Sequence, residues 1–167
     1  YDAIARNYKD FSLNVLSAKV HSLRIYGYEY NGFFAHIDSL QSYFENSMKL
    51  LNFDNLQNIF YSKTGPIYTK TKDSAPTKYS KDAVIKNSLI ANGCVIEGTV
   101  ENSILFRNVR IGKNAVVKNS IIMQHGIISD NAKLDSIITD TYTFVSKDRV
   151  LLGYSNCPFF IKKNSVV

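Results

Sequence analysis

The second half of the chain repeats itself at a short period. Residues 81–88, KDAVIKNS, return as residues 113–120, KNAVVKNS, with six of the eight positions unchanged. A looser pattern, in which two aliphatic positions enclose a turn residue and a small residue, recurs at 90–96, 111–117, 128–134 and 161–167. Regular self-similarity of this kind is the signature of a solenoid, whose repeats pack only against their neighbours.

A second recurring unit sets the length of one coil. Asn or Asp, then Ser and two aliphatic residues, stand together at 87–90, 102–105, 119–122 and 135–138, with starts 15, 17 and 16 positions apart. This spacing is close to three hexapeptides, so equivalent aliphatic residues would stack from coil to coil. The pattern predicts a mainly β fold for residues 79–167: a left-handed parallel β-helix of hexapeptide repeats.

Small and turn-forming residues hold fixed places in each repeat. A narrow triangular prism has no room for a large side chain near its corners, which explains a small slot filled by Ala83, Cys94, Ala115, Ala132 and Ser165. The pairs at 92–93, 113–114 and 130–131 contain Gly or Asn, which tolerate the positive φ of a sharp turn. A helix is excluded for residues 79–140, and an antiparallel sandwich is disfavoured because such folds lack a fixed period.

The first half predicts an α+β piece rather than a complete domain. Residues 24–30 alternate as a half-buried strand does, Asn-Gly at 31–32 is typical of a hairpin turn, and a returning strand is expected at 33–37. Asp38 is a good N-cap for a helix that ends near Asn52, and residues 1–10 favour a short helix. One hairpin and two helices cannot shield the many aromatic residues, so we expect a larger sheet upstream.

The predicted domain organisation has three parts. Residues 1–62 form the α+β piece, residues 63–78 a linker with a short strand at 67–70, and residues 79–167 the β-helix. The linker region carries much of the net charge of +6, with five lysines and one acid between positions 63 and 81. Since no basic run interleaved with aromatic residues exists elsewhere, nucleic-acid binding is not expected.

Composition argues against several other classes. The chain is 45% hydrophobic, enough for a core, but it has no run of 18 apolar residues and no secretory leader. We therefore expect no membrane partner and a cytoplasmic location. Cys94 and Cys157 stand far apart without a CxxC partner, which argues against a disulfide framework and a zinc site.

The predicted order of elements resembles the C-terminal part of ADP-glucose pyrophosphorylases, also called glucose-1-phosphate adenylyltransferases. This order is strand, hairpin, helix, linker and β-helix. Residues 28–34, YEYNGFF, are similar to that family's strand before a helix, and residues 102–112, NSILFRNVRIG, look like the opening of its β-helix. The resemblance covers most of the chain. It implies that residues 1–62 are a remnant of a nucleotidyltransferase-like domain and that the parent protein acts in glycogen biosynthesis.

The resemblance also implies a degenerate substrate-binding position. Catalytic subunits carry Trp-x-Asp-Val-Gly-Thr after the hairpin, and its aspartate helps to hold the magnesium that bridges the reacting phosphates. The corresponding family positions here are Gly32, Phe34, His36 and Asp38, with His36 in the metal-ligand slot. Magnesium prefers hard oxygen donors, so an imidazole is a poor replacement, and we interpret Asp38 as a helix cap rather than a ligand.

These departures resemble the regulatory, glycogen-biosynthesis D-type subunit of the family, which pairs with a catalytic partner. The family's Gly-rich nucleotide loop and sugar-phosphate lysine motif are absent from the sequence. We therefore expect no catalytic residue, metal or cofactor in this segment and no adenylyl transfer by it alone, because phosphoryl chemistry depends on groups it lacks. The expected partners are a catalytic pyrophosphorylase subunit, a second copy of the chain, or both.

The β-helix contains two candidate sites. In the family it helps to form an allosteric anion site, and Arg107, Arg110 and Lys113 are the candidates here. Three cations within one corner could hold a phosphorylated effector, although solvated corner charges are the simpler interpretation. Left-handed β-helices also build acyltransferases in which a coil histidine is the general base, and His125 is that candidate. A module that only supports oligomerisation is the third possibility.

Overall fold

The computed structural model describes residues 2–61, 65, 67–68 and 71–167. These residues form two compact units, which are divided after Gly32. This division does not decide the predicted boundaries at residues 62 and 78, which stay a prediction.

The first unit contains two short helical segments. Helix α1 spans Asp2–Ala5, so the short helix expected within residues 1–10 is present over four residues. A π-helical segment, Phe11–Ser17, follows. Its N-cap is Asp10, whose carboxylate accepts a hydrogen bond from the backbone N–H of Leu13 at 2.7 Å. This bond satisfies one of the free N–H groups at the start of the segment.

The hairpin predicted at residues 24–37 is wrong. None of these residues lies in a strand, and neither Asn31 nor Gly32 adopts the positive φ that the two-residue turn needs. Tyr26 and Tyr28 are 84% and 89% exposed, so the alternation of residue types does not mark a buried face. An isolated two-stranded hairpin is at best marginally stable unless one face packs against another element.

The helix predicted after Asp38 is confirmed, but its cap is one residue later. Helix α2 spans Leu40–Met48, and its N-cap is Ser39, whose hydroxyl accepts a hydrogen bond from the N–H of Ser42. The hydroxyl of Ser42 accepts in return from the N–H of Ser39 at 3.0 Å. This reciprocal pair is a capping box. The chain continues as a 3-10 turn, Lys49–Leu51.

The sequence pattern misses a third helix. Helix α3 spans Phe53–Phe60, and its N-cap is Asn52, the residue near which the pattern places the end of the preceding helix. The side chain of Asn52 accepts hydrogen bonds from the N–H groups of Asp54 and Asn55, at 2.9 and 3.3 Å. Asn52 therefore ends one helical segment and caps the next. The strand expected at 67–70 falls partly outside the described residues, and residues 67 and 68 are not in a strand.

The predicted parallel β-helix of hexapeptide repeats is confirmed. Within the described part of the chain, fifteen short strands form three sheets of five, and every pairing between them is parallel. The first sheet contains β1 (Lys78–Tyr79), β4 (Val95–Ile96), β7 (Arg110–Ile111), β10 (Ile127–Ile128) and β13 (Phe144–Val145). The second contains β2 (Val84–Lys86), β5 (Thr99–Glu101), β8 (Val116–Lys118), β11 (Lys133–Asp135) and β14 (Val150–Leu152). The third contains β3 (Leu89–Ile90), β6 (Ile104–Leu105), β9 (Ile121–Ile122), β12 (Ile137–Thr139) and β15 (Phe159–Ile161).

The core consists of aliphatic side chains stacked from coil to coil. In the first sheet Ile111 pairs in register with Ile96 on one side and Ile128 on the other. Core members from all three sheets are at most 1% exposed: Ile96, Ile111, Ile128, Val100, Val117, Leu134, Leu105 and Ile122. The predicted small slot is confirmed at its central positions, which are equally buried: Cys94, Ala115 and Ala132.

The corners of the coil carry columns of residues with left-handed backbone. The corner between the second and third sheets contains four such residues, with φ between 41° and 57°: Asn87, Asn102, Asn119 and Ser136. Asparagine is enriched in this region because its short polar side chain can bond locally. The predicted turn pairs are confirmed as well, since Gly93, Asn114 and Asn131 all have positive φ.

Helix α2 covers the third side of the β-helix. Each pair of aliphatic residues in the third sheet points one side chain inward and the other outward, because side chains alternate along a strand. The outward residues pair in register from coil to coil: Ile104, Ile121, Ile138 and Phe160. Phe44 of α2 is 4% exposed and packs with Tyr43 and Met48 on this column. Burying one phenylalanine side chain contributes about 1.5–3 kcal/mol.

Replacing Ala115 by Leu should lower the free energy of unfolding by about 1–3 kcal/mol, because the added carbons overfill a closed slot. Urea unfolding followed by circular dichroism measures this loss. Val116→Leu is the matched control, since Val116 is the next residue and is only partly buried. Equal losses in the two variants would contradict the position of Ala115 inside the coil.

Candidate functional site

The residues expected to match the family's substrate-binding positions lie on exposed parts of the chain. Gly32 ends the first unit, and the ring of Tyr30 packs against it. In the second unit the side chain of Phe34 is 78% exposed. His36 Nδ1 lies 3.7 Å from Asp38 Oδ2, and both side chains are mostly exposed. Within the second unit the structure therefore brings His36 and Asp38 together, with both side chains mostly exposed.

Asp38 is engaged with the first turn of α2. The hydroxyl of Ser42 donates a hydrogen bond to Asp38 Oδ1 at 3.0 Å, and the same hydroxyl accepts from the Asp38 N–H. The hydrogen bond from Ser42, followed by that from Ser39, holds the pKa of the Asp38 carboxyl below its usual value. Asp38 thus stabilises the start of the helix, although Ser39 rather than Asp38 is the N-cap.

This position does not suit magnesium. The ion prefers near-octahedral oxygen ligands, whereas the pair offers one imidazole and one carboxylate that already accepts from Ser42. Among the residues that the structure describes, no group of three His, Cys, Asp or Glu is placed to hold a metal ion. No catalytic step of this segment is therefore assigned to magnesium.

The three candidate anion-binding cations lie along one side of a coil. Arg107 is in the turn before β7, Arg110 is on β7, and Lys113 is in the turn after β7. The expected cluster within one corner is wrong, because the turns that precede and follow a strand are different corners of the triangle. The neighbours of Arg110 in register are Val95 and Ile127, which carry no charge.

Carboxylates accompany two of these cations. The backbone N–H of Lys113 donates to Asp130 Oδ1 at 3.0 Å, and Lys147 Nζ lies 3.4 Å from Asp130 Oδ2. The hydrogen bond from Lys113 is the main reason that the pKa of Asp130 lies below its usual value. Arg110 lines a shallow cavity of about 260 Å³ together with Glu97, Asp130 and Lys147. An anion there would meet acids as well as cations, and the effector role stays a prediction.

His125 occupies the corner between the third and first sheets. Its φ is 60°, and its backbone N–H donates to the carbonyl of Arg107 at 3.1 Å. The imidazole stacks on the ring of Tyr142, one coil further on, with centroids 4.6 Å apart and planes 6° from parallel. His125 is therefore a corner histidine with one ring face covered, and its role as a general base stays a prediction.

A cleft of about 1070 Å³ lies between the helical segment and the corner that joins the second and third sheets. We call it the amide cleft. Its wall includes Met48, Leu51 and Phe53, and its floor includes Asn87, Asn102 and Asn119. The cleft exists because α2 packs on the outward column of the third sheet and the following turn overhangs the adjacent corner.

The floor of the amide cleft is a ladder of side-chain amides. Asn87 Nδ2 donates to Asn102 Oδ1 at 2.8 Å, and Asn119 Nδ2 donates to Asp135 Oδ1 at 3.0 Å. Neighbouring strands are about 4.7–4.9 Å apart, so the column presents one amide per coil at regular intervals. A primary amide has two N–H donors and an oxygen with two lone pairs. One ladder bond therefore leaves each amide able to donate and accept further hydrogen bonds.

A column of alternating charges borders this floor. Its members pair in register on the second sheet: Lys86, Glu101, Lys118 and Asp135. The two positive and two negative charges cancel. Glu101 Oε1 lies 3.2 Å from Lys86 Nζ, and Glu101 Oε2 lies 2.9 Å from Lys118 Nζ. The hydrogen bond from Lys118, followed by that from Lys86, holds the pKa of Glu101 below its usual value.

The coils define a class of repeat domain. Residues 74–156 match the GlmU-like, C-terminal hexapeptide family. The match begins four residues before β1 and ends four residues after β14, so it includes most of the parallel coils. The β-helix is therefore a hexapeptide-repeat domain. None of the helices within the described ranges is long and apolar enough to cross a membrane.

Curated relatives extend this likeness beyond the coils. The glycogen biosynthesis protein GlgD of Bacillus subtilis is 44% identical over 145 residues, which are 87% of this chain and 42% of that protein. GlgD of Geobacillus stearothermophilus is 59% identical over 71 residues, or 42% of this chain and 20% of that protein. The glucose-1-phosphate adenylyltransferase of Mycoplasma mobile is 36% identical over 113 residues, or 66% of this chain and 29% of that enzyme.

These relatives confirm the resemblance seen in the sequence. The chain is similar to the C-terminal part of GlgD glycogen biosynthesis proteins and of glucose-1-phosphate adenylyltransferases. It spans about two fifths of the length of the Bacillus subtilis protein.

The sequence pattern misses the amide cleft, although the asparagine column that forms its floor could be predicted from the repeat. The spacings of 15 and 17 residues place Asn87, Asn102 and Asn119 in one column. The opposite wall could not be predicted, because no local sequence pattern shows where α2 packs. The signal that could find it is the pair of aliphatic residues in each Asn-Ser unit, since the outward one needs a cover.

Glu101→Gln should lower the melting temperature near neutral pH and make the melting temperature depend less on pH in the acid range. The folded-state pKa of Glu101 is below the ordinary 4.5, so its contribution is present above that value and is lost as the pH falls through the folded pKa. Thermal melts at about pH 7, 5 and 3 measure the effect, with Glu29→Gln in the first unit as control. Parallel pH profiles of the melting temperature for the chain and for Glu101→Gln would contradict a stabilising role of the charge column.

Proposed function

We propose that this chain is the C-terminal scaffold of a regulatory, GlgD-type subunit that acts in glycogen biosynthesis beside a catalytic glucose-1-phosphate adenylyltransferase. The observation that carries the proposal is the 44% identity to the Bacillus subtilis GlgD protein across 87% of the chain. The Mycoplasma mobile adenylyltransferase is less similar and matches less of the chain, at 36% identity over 66%. Since both relatives are proteins of glycogen metabolism, we place the protein in the cytoplasm.

The chemistry of the family position supports a regulatory rather than a catalytic role. The resemblance implies that His36 occupies the position of the aspartate in catalytic subunits, and the neighbouring acid, Asp38, accepts a hydrogen bond from Ser42 in the first turn of α2. An imidazole and an engaged carboxylate cannot replace the oxygen ligands that magnesium needs. In the proposed assembly the catalytic subunit converts ATP and glucose 1-phosphate to ADP-glucose and pyrophosphate, and this chain holds that subunit and modulates it.

The last coil supports an assembly role. Its outward side chains are apolar and exposed: Val150, Leu152 and Phe159 are 58%, 68% and 50% exposed. Among the described residues β14 and β15 are also the outermost strands of their sheets, whereas β13 pairs on its outer side with Val166. Open strand edges with apolar side chains favour pairing with another chain. A catalytic subunit or a second copy would cover them.

The proposal predicts that the parent protein forms a complex with a catalytic glucose-1-phosphate adenylyltransferase of the same organism. Light scattering after size exclusion should show a hetero-oligomer, because the exposed last coil is buried in it. The mixture should make ADP-glucose at a rate, or with a response to phosphorylated effectors, that differs from that of the catalytic subunit alone. The parent protein by itself should form at least about a hundredfold less ADP-glucose, since metal-dependent charge neutralisation supplies several kcal/mol.

Two results would contradict this proposal. One is full adenylyltransferase activity of the parent protein alone, and the other is no complex with the catalytic subunit at any concentration tested. A thermal shift with acetyl-CoA that His125→Ala abolishes would favour the acyltransferase alternative. If the parent protein binds a second copy of itself but no catalytic subunit, the chain would be an oligomerisation module only.

A further inference from the structure

The proposed scaffold role does not use the amide cleft. We infer that this cleft binds a neutral oligosaccharide and, because the proposed function lies in glycogen biosynthesis, a short α-1,4-linked glucan. The identity of the sugar rests on the proposed function, whereas the class of ligand rests on the cleft itself. Three properties of the cleft carry the inference: its neutral charge, its amide floor and its apolar wall.

The charges around the amide cleft do not favour an anion. Glu45 and Lys49 of α2 line it with opposite signs. Each makes a local hydrogen bond, Glu45 Oε1 with Gln41 Nε2 and Lys49 Nζ with Asn46 Oδ1 at 3.0 Å. The bordering column of two lysines and two acids is also balanced. A phosphate would gain no net attraction here, while a neutral ligand is not penalised.

The amide floor matches hydroxyl groups. A sugar hydroxyl donates one hydrogen bond and accepts others, and a primary amide does both as well. Asn102 uses its oxygen for the bond from Asn87 and keeps its N–H groups for a ligand, while Asn119 uses one N–H for Asp135 and keeps its oxygen. The floor therefore alternates donating and accepting groups along its length. A ligand with repeated hydroxyls meets a partner at each coil.

The opposite wall supplies an apolar surface. Phe53 lines the cleft with its ring 68% exposed, and the Asn52 cap fixes the backbone there because Phe53 is the first residue of α3. Met48 and Leu51 are partly buried beside it. A hexose ring has a face of C–H groups, which packs on aromatic and aliphatic side chains, and an edge of hydroxyls. The cleft offers the two surfaces on opposite sides, as such a ring requires.

The size of the cleft indicates a ligand of several sugar units. Pockets for drug-sized ligands have volumes of about 300–1,000 Å³, and the amide cleft has about 1070 Å³. Its floor continues across Asn87, Asn102 and Asn119, which belong to three successive coils. An elongated ligand can therefore repeat the same contacts, which favours an oligomer over a single glucose.

Isothermal titration of the chain with maltoheptaose tests the inference. Binding should be observed, and Phe53→Ala should weaken it about tenfold, because the loss of a packed aromatic face is worth about one decade of affinity. Tyr61→Ala is the matched control, since Tyr61 has the same 68% exposure and does not line the cleft. Asn102→Gly, which keeps the left-handed backbone and removes the amide, should also weaken binding. Circular dichroism shows whether each variant keeps the fold.

No binding of maltoheptaose, or equal binding by the chain, Phe53→Ala and Asn102→Gly, would overturn the inference. Cellohexaose and glucose 1-phosphate are titrated in parallel. Tighter binding of cellohexaose would keep the oligosaccharide site and reject the α-glucan, and tighter binding of glucose 1-phosphate would reject a neutral ligand. A chain that binds maltoheptaose at the cleft but forms no complex with a catalytic subunit would refute the proposed function and keep the site.

Discussion

The stacking of aliphatic side chains along parallel strands is the constraint from which the rest of the second unit follows. Ile111 must sit between Ile96 and Ile128 because its strand pairs in register with theirs. The coil length is then fixed, and each coil must turn sharply at three corners. Asparagine and glycine at the corners and small residues beside them satisfy that requirement, since these are the residues that tolerate left-handed backbone and a narrow interior.

The third sheet links this scaffold to the helices that precede it. Its strands carry aliphatic residues on both faces, so an outward column remains after the core has formed, and Phe44 of α2 closes it. Covering this outward column thus places α2 and the turn that follows it beside the corner that contains Asn87, Asn102 and Asn119. The amide cleft is the space that this arrangement leaves, and its floor is made of residues whose first role is to turn the chain.

Sequence reasoning succeeded where the determinants are local and failed where they are tertiary. The β-helix could be predicted because each repeat shows the same residues at the same spacing, and the buried Cys94 and Ala115 follow from it. The helix after Asp38 could be predicted too, although Ser39 and Asp38 compete for the cap within one turn. The absence of a hairpin at 24–37 could not be predicted, since alternation gives a strand only when a partner surface pairs with it.

The candidate sites divide in the same way. His36 and Asp38 are two residues apart, so their proximity could be predicted from the sequence. The positions of Arg107, Arg110 and Lys113 could be determined only from the coil geometry, which spreads them over two corners and the strand between. The amide cleft depends on the packing of α2, which no spacing in the chain reports.

Hydrogen exchange followed by mass spectrometry tests the stacked, cooperative β-helix most directly. The strand amides of β4 to β12 should exchange slowest and at a common rate, because they open only when the columns separate together. The amides of residues 24–37, which lie outside any strand or helix, should exchange early. Exchange of β4 to β12 as rapid as that of residues 24–37, or sheet by sheet at separate rates, would contradict the account.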